Sequence, residues 1–361
     1  VAERAKRDPD ARFNSLAHLV DEAALGRAFT RIRKDAAVGV DGITKEQYGK
    51  QLEENLQGLH ERLKSMRYRH QPIRRVHIPK AKGKTRPIGI SSVEDKIVQG
   101  ALREVLEAVY EQDFLECSYG FRPNRSAHDA LRAVNQMASH EGITVILEAD
   151  IQAFFDSIDR MKLMEMLQIR VADPPLLRLI GKCLHVGVLD GEQVERPEEG
   201  TAQGSIISPM LGNVYLHYVL DLWFERDIKP RLKGHARLIR YADDFVAGFE
   251  REDDAKRVLE VLHKRMARYG LTLHPDKTRL IPFERPRPGA SGASKPGTFD
   301  FLGFTMYWCK TRRGGRRLGM KTRKARVQRT LTSLGEWCRR HRHLPLTDQH
   351  AALSRRLRGH Y

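Results

Sequence analysis

The sequence has no run of about 18 apolar residues, so nothing in it reads as a membrane-spanning helix. The N-terminus, VAERAKRDPD, lacks the apolar stretch of a signal peptide. It also lacks an initiator methionine, so the gene is expected to begin upstream. Only four cysteines occur, Cys117, Cys183, Cys309 and Cys338, and no two form a C-x-x-C pair. That spacing argues against a zinc site and for a reducing compartment. There is no G-x-G-x-x-G and no G-x-x-x-x-G-K-[ST], which disfavours a dinucleotide or Walker-type nucleotide site. No internal repeat is present. Acidic residues are in deficit: 46 Asp and Glu face 64 Lys and Arg over 361 residues, a net charge of +18. Such an excess points to a polyanionic partner, most simply nucleic acid. An anionic membrane surface fits less well, because no basic amphipathic helix with a Trp/Leu face stands out.

The excess is concentrated at one end. From Lys310 to Tyr361 there are 16 Lys and Arg against two acids, Glu336 and Asp348. Val327, Leu331, Leu334 and Cys338 keep helical spacing there, as do Leu353 and Leu357. Pro345 separates two predicted helices, and Thr347 is placed to cap the second. Basic helices of this kind can lie along a phosphate backbone.

Elsewhere, residues 1–70 read as mainly helical, broken at GVDGIT (39–44), with Thr44 capping a helix through Gln47. Residues 73–90 read as a basic hairpin turning at KAKGKT. Helices are predicted over 95–110, over 161–185 with a break at Pro174–Pro175, over 206–224 and over 255–269. Strands are predicted at 143–149 and 298–308, a hairpin at 238–249, and a Gly/Pro/Ser-rich loop at 284–298.

One apolar strand carries two charges it does not need for folding. In RYADDFVAGF (240–249), Asp243 and Asp244 are adjacent among Ile239, Phe245, Val246 and Phe249. Two carboxylates about 4 Å apart repel by roughly 4 kcal/mol at an effective dielectric near 20. A solvated hairpin tip would tolerate them; so would a bound cation. Asp150 ends the apolar strand ITVILEAD, where a carboxylate can reach over a sheet edge. If the two strands pair, three carboxylates converge, a donor set suited to Mg²⁺ and to phosphoryl chemistry.

Seven segments then make a pattern in order: GVDGIT (39–44), IPKAKGKTRPIGI (78–90), SYGFRPNRSAHDA (118–130), ADIQAFFD (149–156), GTAQGSIISPMLGNVYLH (200–217), YADD (241–244) and FDFLGF (299–304). Together they resemble the reverse transcriptases of bacterial group II introns and their relatives. The resemblance implies an α+β right-hand polymerase. Residues 1–95 would hold an N-terminal extension and fingers, 96–308 the palm with further fingers elements, and 309–361 a basic helical thumb or maturase region that continues beyond Tyr361. It implies an RNA-directed DNA polymerase supporting intron mobility, with an RNA template, a DNA or RNA primer, dNTPs and a structured intron RNA as partners. The cofactor would be two Mg²⁺ ions, replaceable by Mn²⁺.

Position by position, the resemblance implies that Asp150, Asp243 and Asp244 bind metal, with the Ile151 backbone beside them. Phe155 would be the aromatic gate against a 2′-OH, with its neighbour Phe154 in the core. Lys80 and Arg86 would grip the triphosphate, and Gln203 and Gly204 would pack against nucleotide and template. Lys277 would protonate the pyrophosphate, and Phe301, Leu302 and Gly303 would form a primer grip. Arg122 would touch the template. Ala202 and Ser205 depart from the family's usual proline and glycine around Gln203, and Ser91 stands where proline is common. An RNA-binding maturase, or a domesticated relative in phage defence or spacer acquisition, remains an alternative reading.

Overall fold

The computed structural model describes residues 1–79, 85–191, 193–195, 199–201, 204–286 and 296–359. The N-terminal part is helical as the periodicity predicts: Glu22–Arg31 packs on the long helix Val93–Tyr110, Leu52–Lys64 packs on Glu22–Arg31, and Lys45–Gly49 packs on Leu52–Lys64. Thr44 and Gln47 form the reciprocal cap, each side chain accepting the other's backbone N–H. Ser92 caps the helix Val93–Tyr110 through the Asp95 N–H. Pro174 and Pro175 open the helix Pro174–Leu184, where a missing N–H is harmless, and Asp173 caps it.

Three sheets follow from the alternation of the strands. The predicted basic hairpin is Ile73–Pro79 paired antiparallel with Thr85–Ile90; its turn lies outside the described residues. A central antiparallel sheet runs in the order Ala236–Tyr241, Asp244–Phe249, Val145–Asp150, Arg279–Pro282. Its middle strands read as continuous apolar runs because both faces are covered. Leu147, Ala149, Phe245 and Ala247 enter the larger core, while Ile146 and Val246 enter a second core against the helix Ala127–His140. A third sheet joins Phe299–Phe301, Phe304–Lys310 and Arg316–Thr322. The α+β class is as expected, and among the described residues no helix is long and apolar enough to cross a membrane.

Three local expectations are corrected. The apolar segment predicted as one helix over 206–224 is an α-helix only over Ser208–Leu216, then widens into π turns through Ile228. Thr347 caps nothing: Pro345 takes the N-cap position, and Leu346 already starts the last helix. The boundary placed at 308/309 falls inside the strand Phe304–Lys310. The C-terminal helices Lys324–His341 and Leu346–Arg358 bury no residue, so the apolar stripe Val327, Leu331, Leu334 and Cys338 has no core beneath it. Trp337, stacked on His341 at 4.9 Å and covered by Arg356 at 5.3 Å, ties these two helices together.

Candidate active site

The register of the central sheet brings the carboxylates together. Asp150 ends its strand directly opposite Asp244, which starts the neighbouring one; Asp243 sits in the turn between Tyr241 and Asp244. Directly opposed residues share a face, so Asp150 and Asp244 point the same way. Burial pushes the Asp243 carboxyl up from its ordinary value, and the charge of Asp150 adds to this. Burial also pushes Asp244 up, to about 7, with Asp150, Asp243 and Glu148 repelling it further. Lys277 Nζ lies 2.5 Å from Asp150 Oδ2, so a cation already stands against one of the three. Among the described residues no group of three acidic, His or Cys side chains is gathered tightly enough to hold an ion as it stands. The donor chemistry nonetheless fits one: hard carboxylate oxygens, mutually repelling, at the mouth of a polar cavity.

That cavity, about 460 Å³, is lined by Arg86, Asp150, Ile151, Phe155, Asp243 and Lys277 among others. Ile151 is buried and faces Leu273 across an isolated bridge whose bonds are made by its neighbours, Gln152 N–H to Thr272 and His274 N–H to Asp150. Its own carbonyl is therefore turned away from that partner. Phe155 is half-buried on the cavity wall, whereas Phe154 is 3% exposed and belongs to the core. Ala153, in the left-handed region at φ 46°, makes the turn that separates their roles. Arg86 reaches the cavity from the strand Thr85–Ile90. Gly204, at φ 107°, runs so close to that strand that a Cβ would lie 2.4 Å from the Gly89 carbonyl oxygen. Lys80 and Gln203 lie outside the described residues.

Beneath the aspartates is a buried polar frame that the motifs do not announce. Arg240 is fully buried and pairs bidentately with Asp221, also fully buried, at 2.7 and 2.6 Å. The same guanidinium donates to Asn213 Oδ1 at 3.0 Å, Ser118 Oγ at 2.8 Å and the Ala242 carbonyl at 3.1 Å. Ala242 holds φ 55°, a strained value for a residue with a Cβ, and it immediately precedes Asp243. Gly120 lies against this turn, where a Cβ would stand 2.5 Å from the Ala242 nitrogen. The π turn His217–Asp221 delivers Asp221 to the frame. The signal in the sequence was a charged residue at a buried strand position beside two acids.

Asp150, Asp243 and the aromatic Phe155 line one cavity, and Asp244 opposes Asp150 on the neighbouring strand. A sequence profile described as "Reverse transcriptase (RNA-dependent DNA polymerase)" matches residues 78–306, which hold all of them. The chain belongs to the reverse transcriptase family. Intron-encoded proteins are among its relatives. It is 34% identical over 249 residues to "Group II intron-encoded protein LtrA" of Lactococcus lactis subsp. cremoris, covering 66% of this chain and 41% of that protein. It is 35% identical over 278 residues to "Protein YkfC" of Escherichia coli (strain K12), covering 68% of this chain and 73% of YkfC. An "Uncharacterized 91 kDa protein in cob intron" of Schizosaccharomyces pombe is 40% identical over 205 residues, 55% of this chain and 25% of that protein. The chain thus spans less than half of the intron-encoded relatives it matches. The family is generally dependent on divalent metal and works on a nucleic-acid template and primer.

Within this reverse transcriptase, one expected contact is corrected. Arg122 does not face a template: it is 8% exposed and turned inward, donating to Glu111 at 3.0 Å and to the Leu115 and Ser118 carbonyls. It also lies over the Phe114 ring. A guanidinium drawn to internal acceptors in this way is not offered to a phosphate. Of the FLGF segment, Phe301 is a core side chain at 1% exposure, so it offers no nucleic-acid contact of its own. Leu302 (φ 52°) and Gly303 (φ 83°) form the hairpin turn, and the Leu302 N–H faces Asp244 Oδ2 at 3.4 Å. The turn therefore sits against the carboxylates.

Proposed function

We propose that this chain extends a DNA or RNA primer with dNTPs on an RNA template, and that a structured intron RNA is its natural partner. The observation that carries the reading is the register placing Asp150 against Asp244, with Asp150 and Asp243 lining the cavity walled by Phe155 and Arg86. Asp150, Asp243 and Asp244, with the Ile151 carbonyl, would hold Mg²⁺, or Mn²⁺ in its place. Two such ions, when bound, supply Lewis-acid activation of the primer 3′-OH and charge stabilisation at the leaving phosphate. The protein's own groups do the rest. Arg86 with its planar fork and Lys80 as a point charge would grip the triphosphate, and Gln203 with Gly204 would pack against nucleotide and template. Lys277 holds a proton at Nζ beside Asp150 and is placed to give one to pyrophosphate. The Leu302–Gly303 turn supports the primer end. The family relationship to an intron-encoded protein supports the intron role, and the basic C-terminal helices support RNA binding, including a maturase function.

The sugar gate is testable at Phe155. A 2′-OH against the ring meets a clash and finds no partner for its lost water, which costs roughly 2–4 kcal/mol, or about 30- to 1,000-fold. Phe155→Val is expected to raise rNTP over dNTP incorporation by a factor in that range, with some dNTP efficiency lost. Phe154→Ala is expected to lower Tm and leave the ratio alone. The measurement is kcat/KM for both nucleotides on one RNA template; a ratio set by Phe154 would move the gate by one residue.

The basic helices are testable by salt. Ending the chain at Arg323 keeps the third sheet and removes nine Lys and Arg. The slope of log K for RNA binding against log salt is expected to flatten by about 0.7–0.9 for each phosphate that these helices neutralise in the full chain. An unchanged slope would place the backbone contacts elsewhere.

A further inference from the structure

Three side chains from separate segments meet in a line. Asp95, in the first turn of the helix Val93–Tyr110, accepts from His70 Nδ1 at 2.8 Å. His70 Nε2 lies 2.9 Å from the sulfur of Cys183, near the end of the helix Pro174–Leu184. The side chains of His70 and Asp95 are 2% and 3% exposed. Asp95 also accepts from the Tyr68 hydroxyl, the Ser92 hydroxyl at 2.8 Å and the Gln71 N–H at 3.1 Å. The donors converging on Asp95 leave it only accepting, and it fixes the imidazole with Nδ1–H towards it. Burial alone would lower the His70 pKa; the Cys183 sulfur and the Asp95 carboxylate outweigh it and raise it to about 10. A nucleophile, a base and an acid that orients the base is the arrangement that activates a thiol.

A second observation lies across the sulfur. Cys183 lines a cavity of about 210 Å³ shared with Arg75, Asp156, Arg160 and Thr201. Thr201 is 2% exposed, and its hydroxyl has no hydrogen-bond partner among the described residues. A buried hydroxyl without a partner is costly, and a small polar guest in the cavity would satisfy it.

We infer that Cys183 is a peroxide-reactive modification site, with His70 and Asp95 activating the thiol and Thr201 receiving the oxidant. The thiol proton passes to His70 Nε2. The sulfur attacks the near oxygen of a hydroperoxide; the S–O bond forms as the O–O bond breaks. For hydrogen peroxide the leaving hydroxide takes the proton from Nε2 and departs as water. Sulfur is oxidised by two electrons to the sulfenic acid, and the peroxide is reduced. A cavity of this size admits hydrogen peroxide or a small alkyl hydroperoxide and excludes macromolecular thiols.

The protein carries its own control. Cys117 is as buried as Cys183, each 8% exposed, yet burial pushes its thiol pKa up and no imidazole faces it at hydrogen-bond distance among the described residues. The purified chain is treated with hydrogen peroxide and a 1,3-dione that traps sulfenic acid, and adducts at Cys117, Cys183, Cys309 and Cys338 are quantified by peptide mass spectrometry. Cys183 is expected to label at least about tenfold faster than Cys117, as a thiol paired with an imidazolium does. Equal rates at the two buried cysteines in the wild-type protein would overturn the inference. His70→Asn is expected to bring Cys183 down to the Cys117 rate. Thr201→Val, which keeps the packing, is expected to slow labelling at Cys183 alone. Unchanged Cys183 labelling in both variants would equally overturn it; a rise at Cys117 identifies a variant whose core has opened.

Discussion

Asparagine at Asp244 is expected to stop primer extension while leaving the protein folded and able to bind RNA. The substitution keeps size and an acceptor oxygen, so the Leu302 N–H retains its partner. It removes one of three like charges that the sheet register holds together, so Tm should not fall. The loss is in chemistry. A site deprived of charge stabilisation at a developing phosphate gives up several kcal/mol, and about 4 kcal/mol is roughly a thousandfold in rate. Asp243→Asn should behave alike. RNA affinity should stay within about twofold, since the basic helices carrying phosphate contacts lie elsewhere. Filter binding, a melting curve and single-turnover extension on the same preparation separate these outcomes. A variant that extends at more than a tenth of the wild-type rate would remove Asp244 from the chemistry.

Arg240→Leu is expected to be the most destabilising single change near the site. It leaves Asp221 fully buried with no counter-charge, a loss of roughly 3–5 kcal/mol. For a chain of this size Tm should fall by roughly 4–7 °C. The double variant Arg240→Met, Asp221→Leu removes both charges and should recover most of that Tm, because a buried ion pair is often replaceable by packed apolar groups. It should not recover kcat. The Ala242 carbonyl, Asn213 and Ser118 lose the donor that holds the strained turn before Asp243. Recovery of stability without kcat marks Arg240 as a positioning residue for the aspartates. Recovery of both would reduce it to a filler of space.

The parts legible in sequence were those written in short-range pattern. The Thr44–Gln47 cap, the proline-opened helix at Pro174 and the apolar strand ending at Asp150 each rest on residues within a few positions of one another. The opposition of Asp150 and Asp244 was foreseeable as a pairing, but its register came only from the fold. What stayed hidden depends on distant partners. Arg240 finds Asp221 and Ser118, 19 and 122 residues away. Arg122 read as a template contact only through the resemblance carried by GFRPNRS; Glu111 and two carbonyls draw it inside. Ala153, Ala242 and Leu302 adopt left-handed backbone without being glycine, so no residue type announced the turns that shape the site. The helix start at Leu346 was missed because proline, which fixes its own φ, outcompeted the threonine two residues later.

The central claim is that this cavity copies RNA into DNA. The direct measurement is single-nucleotide incorporation by the wild-type chain onto a primer annealed to four RNA templates that differ in one base, with each dNTP offered alone and divalent ion present. The account predicts addition of the complementary dNTP on each template, abolished by chelation and by Asp243→Asn. Addition that ignores the template base, or that persists undiminished in Asp243→Asn, would contradict it.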